Sequence, residues 1–147
     1  MTERAPFLDL MLPYPPTLNT GWRCLGGRVV LAKRQRVYRR IVREKLLLVT
    51  ADPDSPYTTN FGHKALHLTI VLCPPTRRRY DLDNVVKPCV DALMQAGVMV
   101  DDSQIVSIQA EKAEPSPPTG YAWVSLQALP GGVPGESKAR AAVRNQP

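Results

Sequence analysis

Residues 66–97 read LHLTIVLCPPTRRRYDLDNVVKPCVDALMQAG, and the succession of patterns within them sets the class of fold. Leu66, Leu68, Ile70 and Leu72 alternate with His67, Thr69 and Val71, which predicts a mostly buried β-strand. Pro74-Pro75 ends it, because proline cannot donate to a ladder. After a basic run and a short acidic motif, a helix is expected from Asn84 to Ala96, with Gly97 as its C-terminal stop. Pro88 removes one backbone donor and crowds the turn before it. The first turn is therefore expected to be kinked or separate, with the regular helix starting near Lys87.

Outward from this stretch the other elements fall into place. Phe7 to Leu12 is a short strand closed by Pro13 and the Pro15-Pro16 pair. Arg28 to Leu31 follows Gly26-Gly27 and suits a hairpin. At about 100° per residue, Lys33 to Val49 forms an amphipathic helix. Val37, Tyr38, Ile41, Val42, Leu46, Leu48 and Val49 fill one side; Lys33, Arg36, Arg39, Arg40 and Arg43 gather on the other, with Leu47 among the bases. Asp52 to Pro56 ends it. Ile105 to Lys112 and Tyr121 to Gln127 alternate as two further strands around a Pro-rich loop, Glu114 to Gly120. Residues 1–128 read as one domain, and 129–147 as a flexible basic tail.

Composition narrows the function classes. A chain of 147 residues with 44% hydrophobic and 22% charged residues has enough core to fold as an ordinary globular domain. No apolar run approaches the roughly 20 residues of a membrane-spanning helix, and Met1 to Leu12 does not read as a secretory signal. A soluble, cytoplasmic protein with no membrane partner is expected. Cys24, Cys73 and Cys89 form no Cys-x-x-Cys pair and no zinc-like spacing with His63 or His67, so buried reduced thiols are expected.

The net charge of +6 is unevenly distributed. Arg23 to Lys45 holds nine bases and one acid, and Arg77-Arg78-Arg79 adds three more bases; Asp81 to Asp102 then holds five acids and one base, Lys87. Acids so close in sequence are tolerable if they are separated in space, solvated, or sharing a cation. In Asp81-Leu82-Asp83 the carboxylates can converge where a loop enters a helix; equally, Asp83 can simply cap that helix. Asp101-Asp102 suits a turn. Taken together with Lys87, one helical turn beyond Asp83, the two pairs can build a site for Mg²⁺ or Mn²⁺ with an ammonium beside a phosphate or an attacking water.

The string Arg77-Arg78-Arg79-Tyr80-Asp81-Leu82-Asp83-Asn84, then Lys87, Asp91-Ala92-Leu93, Gly97 and Asp101-Asp102-Ser103-Gln104-Ile105 resembles the signature of the RusA family of Holliday junction resolvases. Pro15-Pro16-Thr17-Leu18-Asn19-Thr20 resembles that family's N-terminal segment. The resemblance runs from about Pro13 to about Lys112. It implies an α+β fold, with a small mixed sheet of about four to five strands and two main helices, assembled as a homodimer. The activity it implies is that of a Mg²⁺-dependent endodeoxyribonuclease, Mn²⁺ being a possible substitute, that resolves four-way junctions by paired symmetric nicks through a metal-activated water. No small-molecule cofactor is expected.

Carried over residue by residue, the essential carboxylates match Asp81, Asp83 and Asp102, and the important lysine matches Lys87. Asp101 and Asp91 match further acidic positions, and Asp91 can equally pair with Lys87 at i, i+4. Tyr80 departs from the pattern, standing where a base is expected. DNA contacts are assigned to Lys33, Arg36, Arg40, Arg43, Arg77, Arg78, Arg79 and Asn19. Tyr14 and Trp22 either stack on exposed bases or pack within their loop. Two rival functions share the basic surface: a non-catalytic module that binds branched DNA, and a metal-dependent nuclease for flaps or forks.

Overall fold

The structure is a computed structural model that describes residues 4–18 and 22–134, with Trp22 and Arg23 described by their backbone alone. Its elements run β1 (Phe7–Pro13), β2 (Trp22–Leu25), β3 (Arg28–Leu31), α1 (Lys33–Ala51), β4 (Leu66–Cys73), α2 (Leu82–Gln95), a 3-10 turn (Asp102–Gln104), β5 (Ile105–Lys112) and β6 (Tyr121–Ala128). The fold is α+β. Four strands form a mixed sheet in the order β1-β6-β4-β5, while β2 and β3 make a separate hairpin.

The alternation in β4 places Leu66, Leu68, Ile70 and Leu72 on one face, all at 0% exposure. Register carries that face across the sheet: Leu68 stands opposite Leu126 of antiparallel β6 and Ile108 of parallel β5, and Leu10 opposite Val124. Tyr38, Val42 and Leu46 of α1 and Val85, Cys89, Val90 and Leu93 of α2 complete the same core cluster. Both helices therefore cover one face. The other face carries Asp9, Met11, His67, Thr69, Ser107, Gln109, Glu111, Trp123 and Ser125, with no Lys or Arg among its strand positions.

Parallel β4 and β5 are joined through α2, as a parallel pair requires a crossover. This connection builds the site, since α2 and the turn entering β5 are its two walls.

Four details differ from the expectations. The second helix starts at Leu82 and runs unbroken through Pro88. The missing N–H leaves the Asn84 carbonyl without its helical donor, but burial of Val85, Val86, Cys89 and Val90 keeps the helix regular. The N-cap position is held by Asp81, not Asp83. On α1 the buried stripe is narrower than the apolar side of the wheel: it comprises Gln35, Tyr38, Val42 and Leu46. Leu48, about 125° round from the centre of that stripe, is 73% exposed. Buried Gln35 donates from Nε2 to the Thr17 carbonyl at 3.2 Å, tying α1 to the Pro-rich segment. Finally, Cys73 and Cys89 are buried free thiols but Cys24 is exposed, because its hairpin lies outside the main sheet. Burial pushes the Cys89 thiol up to about 11, so it is inert at neutral pH.

Residues 135–147 of the expected tail and Asn19 lie outside the described residues, as does the Trp22 side chain. The Leu129 N–H still donates to the Ala65 carbonyl at 2.8 Å. Among the described residues no helix is long and apolar enough to cross a membrane.

Candidate active site

Helical spacing puts Asp83, Lys87 and Asp91 at i, i+4 and i+8, in a stripe along one side of α2 that rises about 6 Å per step. The crossover then returns the chain to β5 beside that stripe. Lys87 Nζ donates to Asp102 Oδ2 at 2.7 Å and to Asp91 Oδ1 at 2.8 Å. Fifteen residues separate Lys87 from Asp102, so this contact is a product of the fold. The i, i+4 pairing of Lys87 with Asp91 matches the helical expectation.

The remaining acids are near in sequence but are placed differently. Asp81 is exposed at the head of α2, where its Oδ2 accepts from Asn84 Nδ2 at 3.4 Å. Asp83 is exposed in the first turn. Asp101 precedes the 3-10 turn, and its Oδ2 accepts from Ser103 Oγ at 2.6 Å. Among the described residues, no group of three or more His, Cys, Asp or Glu is arranged to hold a metal ion. What does converge is two carboxylates on one cationic centre, the Lys87 ammonium. That donor chemistry, carboxylate oxygen without thiolate or imidazole, fits a hard divalent cation.

The electrostatics follow from the contacts. The hydrogen bond to Asp102, then that to Asp91, holds Lys87 above the ordinary lysine value. In return Lys87 holds the Asp102 carboxyl below the usual carboxylate range. A depressed Asp102 contributes stability above its unfolded pKa and loses it as pH falls through the folded value. A raised Lys87 contributes below its unfolded pKa and loses it as pH rises through the folded value. The ion pair thus spans neutral pH. With side chains 46% and 39% exposed, it adds little to stability, and its value is in orientation. In Lys87→Met, the Asp102 carboxyl should titrate at higher pH than in the wild type. Carbon-detected NMR titration in chelator checks this, and an unmoved Asp102 would mean that the pair does not form in solution.

Two residues that had no role assigned from the sequence shape the site, although Gln104 belongs to the RusA-like string. Gln104, only 4% exposed, braces the turn that carries Asp102. Lys112, at the end of β5, donates to the Tyr80 carbonyl at 2.6 Å and sits 4.5 Å from the Tyr80 ring centroid. It holds the chain just before Asp81. Gln104 has a local signal only in part, as the N3 residue of a capping box with Asp101; its bonds to the Gly62 and Lys64 carbonyls, like that of Lys112 to Tyr80, span more than thirty residues and leave none. Tyr14 packs edge-on to Tyr80 at 6.0 Å between centroids and lies against the core, as a packing residue does.

The basic residues lie where solvent reaches them. Lys33, Arg36, Arg40 and Arg43 are exposed on α1, and Arg77, Arg78 and Arg79 in the loop after β4. Arg40–Glu44 at 4.0 Å and Arg77–Glu114 at 3.0 Å are exposed pairs that leave these cations free to exchange partners. An open groove of about 1270 Å³ is lined by Pro15, Pro16, Val37, Ile41, Lys33, Arg34 and Arg78 among others, so bases from α1 and from the Arg run line the same groove. The first turn of α1 has no acid. Clustering Lys33, Arg34 and Arg36 there opposes the helix dipole, an arrangement that disfavours the helix and attracts anions.

A family model, Endodeoxyribonuclease RusA, matches residues 13–119. The chain belongs to the RusA family. That matched span contains both walls of the site, from the Pro-rich segment through Lys87 and Asp102 to the loop before β6. The chain is 33% identical over 101 residues to a crossover junction endodeoxyribonuclease RusA of enterobacteria phage HK97, covering 69% of this chain and 78% of the relative. Proteins of the same name from Shigella sonnei strain Ss046 and Escherichia coli strain K12 are each 32% identical over 109 residues, covering 71% of this chain and 81% of the relative. The RusA resemblance of the acidic motifs is thus matched along most of the chain.

Proposed function

We propose that this RusA-family chain is a Holliday junction resolvase of the cytoplasm, acting as a homodimer on four-way DNA and dependent on Mg²⁺, with Mn²⁺ as a substitute. The observation that carries this reading is the meeting of Lys87 with Asp102 across the crossover, inside the family-matched span. Asp81, Asp83 and Asp102 would hold the divalent cation, with Asp101 beside them. The cation would supply charge neutralisation at the scissile phosphate and a lowered pKa for water.

The residues of the chain do the rest. Lys87 remains an ammonium at neutral pH, because two carboxylates raise its pKa. It therefore acts as a donor, to a nonbridging phosphate oxygen or to the attacking water, and not as a base. Asp91 keeps that ammonium aimed along α2 toward Asp102. Cleavage leaving 5′-phosphate and 3′-hydroxyl ends is the outcome this family relationship suggests.

Binding is assigned to the helix side of the molecule. Lys33, Arg36, Arg40, Arg43 and Arg77 to Arg79 supply backbone contacts that position DNA without reading sequence; Asn19 is assigned a DNA contact from the family resemblance alone. The opposite sheet face has no Lys or Arg at its strand positions and is unsuited to phosphate. A four-way junction has approximate two-fold symmetry, which suits a two-fold dimer with one site per nicked strand.

Neutralising about six phosphates predicts a slope of about −5 in log K against log salt. The direct test is cleavage of a labelled synthetic four-way junction in Mg²⁺, beside linear duplex and flap controls, by wild type and Asp83→Asn. Symmetric nicks by the wild type alone are expected, with binding retained in Asp83→Asn. Tight binding without cleavage in Mg²⁺ or Mn²⁺ would leave a junction-binding module, and cleavage of flaps alone would change the substrate.

A further inference from the structure

Gln104 has every hydrogen-bonding position of its amide engaged. Nε2 donates to the carbonyls of Gly62 at 2.7 Å and Lys64 at 2.9 Å, while Oε1 accepts from the N–H groups of Val100 at 2.8 Å and Asp101 at 2.9 Å. Two donors and two lone pairs are the full capacity of a carboxamide. Turning the amide over would face donors to donors and acceptors to acceptors, so only one orientation is satisfied. The contacts bridge two segments some forty residues apart.

One of those segments is the loop after Asn60, itself anchored by Phe61, which is 1% exposed and whose N–H donates to the Val98 carbonyl at 2.8 Å. The other is the turn that carries Asp102. Around Asp102 both flanks are held: Asp101 by the Gln104 side chain and by its own carbonyl, which accepts from the Gln104 N–H at 3.1 Å, and Gln104 by burial. The Asp102 carboxylate itself is 39% exposed and touches only Lys87 across the crossover. Its other hydrogen bonds come from within the same turn, from the Ser103 backbone and the Asp101 side chain, so its direction follows that of the turn.

We infer that Gln104 is a positioning residue of the cleavage site: its fully engaged amide locks the Val100–Asp102 turn onto the loop at residues 62–64, and so fixes where the Asp102 carboxylate stands against Lys87. This rests on the reading of Asp102 as a cation-holding carboxylate. Loss of a group that holds a metal ligand in place typically costs 10–100-fold in metal affinity, and Gln104 would act one step further back, through the backbone of the turn that carries Asp102. The substituted residue would touch neither cation nor DNA.

The test is Gln104→Met, similar in length and unable to make any of the four bonds, read by Mn²⁺ titration of the protein alone, by junction affinity in Ca²⁺, and by nicking rate. The Mn²⁺ half-saturation concentration is expected to rise at least tenfold and the nicking rate to fall in step, recovering in part at high Mn²⁺. Junction affinity should stay within about twofold. Gln104→Glu keeps the acceptor for both N–H groups but must give up at least one donation to a carbonyl, so its Mn²⁺ affinity should fall between wild type and Gln104→Met. It carries the test if Gln104→Met does not fold. Asp102→Asn is run beside them: if it binds Mn²⁺ and cleaves like the wild type, the reading of Asp102 fails. If Asp102→Asn is impaired and a folded Gln104 variant binds Mn²⁺ within threefold of wild type, the positioning role is overturned. A parallel loss of junction affinity would also overturn it, as the mark of general structural damage.

Discussion

In Asp102→Asn, nicking of a four-way junction falls by about 10²–10³-fold, the scale of losing one preorganised charge-stabilising group. The amide matches the carboxylate in shape, and the position is 39% exposed, so the fold is little affected. Lys87 keeps its 2.8 Å bond to Asp91, so no ammonium is stranded. What disappears is the negative charge that meets Lys87 from the β5 side. Asp91→Asn offers the internal comparison, because there Lys87 keeps Asp102 at 2.7 Å. Its loss should be smaller, about tenfold, or about 1.4 kcal/mol in the barrier. Single-turnover cleavage with saturating enzyme measures both. Equal losses, or a larger one for Asp91→Asn, would move the reacting centre from the turn to α2.

The second large effect is on stability. Gly120 adopts φ +69°, and a Cβ placed there would lie 2.6 Å from the Cys73 carbonyl oxygen and 2.7 Å from the Pro75 nitrogen. These are backbone atoms at the end of β4 and cannot swing aside. The Gly120 N–H is also engaged, donating to the Ser116 carbonyl at 2.7 Å. Gly120→Ala combines a left-handed backbone, costing about 1–2 kcal/mol, with an overpacking cost of about 1–3 kcal/mol. For a domain of this size a loss of about 3 kcal/mol lowers the unfolding midpoint by about 6–12 °C.

Gly97 is the control, because it has φ +88° but nothing within 4 Å of its Cβ position. Gly97→Ala should show the backbone cost alone, about 1–2 kcal/mol. Calorimetry of the two variants separates conformation from contact. Equal midpoints would show that the strand end yields to the methyl group. The contact matters beyond stability, because the segment it fixes leads directly into Arg77 to Arg79.

The elements whose burial is periodic were legible in the residues alone. The alternation of Leu66 to Leu72 and of Tyr121 to Gln127, the apolar side of α1 and the stop at Gly97 are short-range patterns, and they survive because the core they face is continuous. Their exceptions are tertiary. Pro88 is a helix breaker by local propensity, but burial of its neighbours outweighs one missing bond. Leu48 belongs to the apolar side of the wheel, but the sheet beneath α1 covers only the narrower stripe through Tyr38, Val42 and Leu46. Cys24 is exposed because its hairpin lies outside the main sheet.

The site divides in the same way. Residue types and spacing along Asp81-Leu82-Asp83, Lys87 and Asp101-Asp102 were enough to mark a carboxylate–lysine constellation, and the RusA pattern they make is that of the family to which the chain belongs. The i, i+4 pairing of Lys87 with Asp91 follows from helical geometry. Which acid meets Lys87 from outside α2 does not, because it depends on how the crossover returns to β5 and on where the turn before β5 is pinned. Gln104 pins that turn, and Lys112 the chain entering α2, through contacts with backbone carbonyls far away in sequence, and a carbonyl is present at every residue. No pattern of side chains can announce such a partner; only the folded path of the chain brings the Gly62, Lys64 and Tyr80 carbonyls within reach.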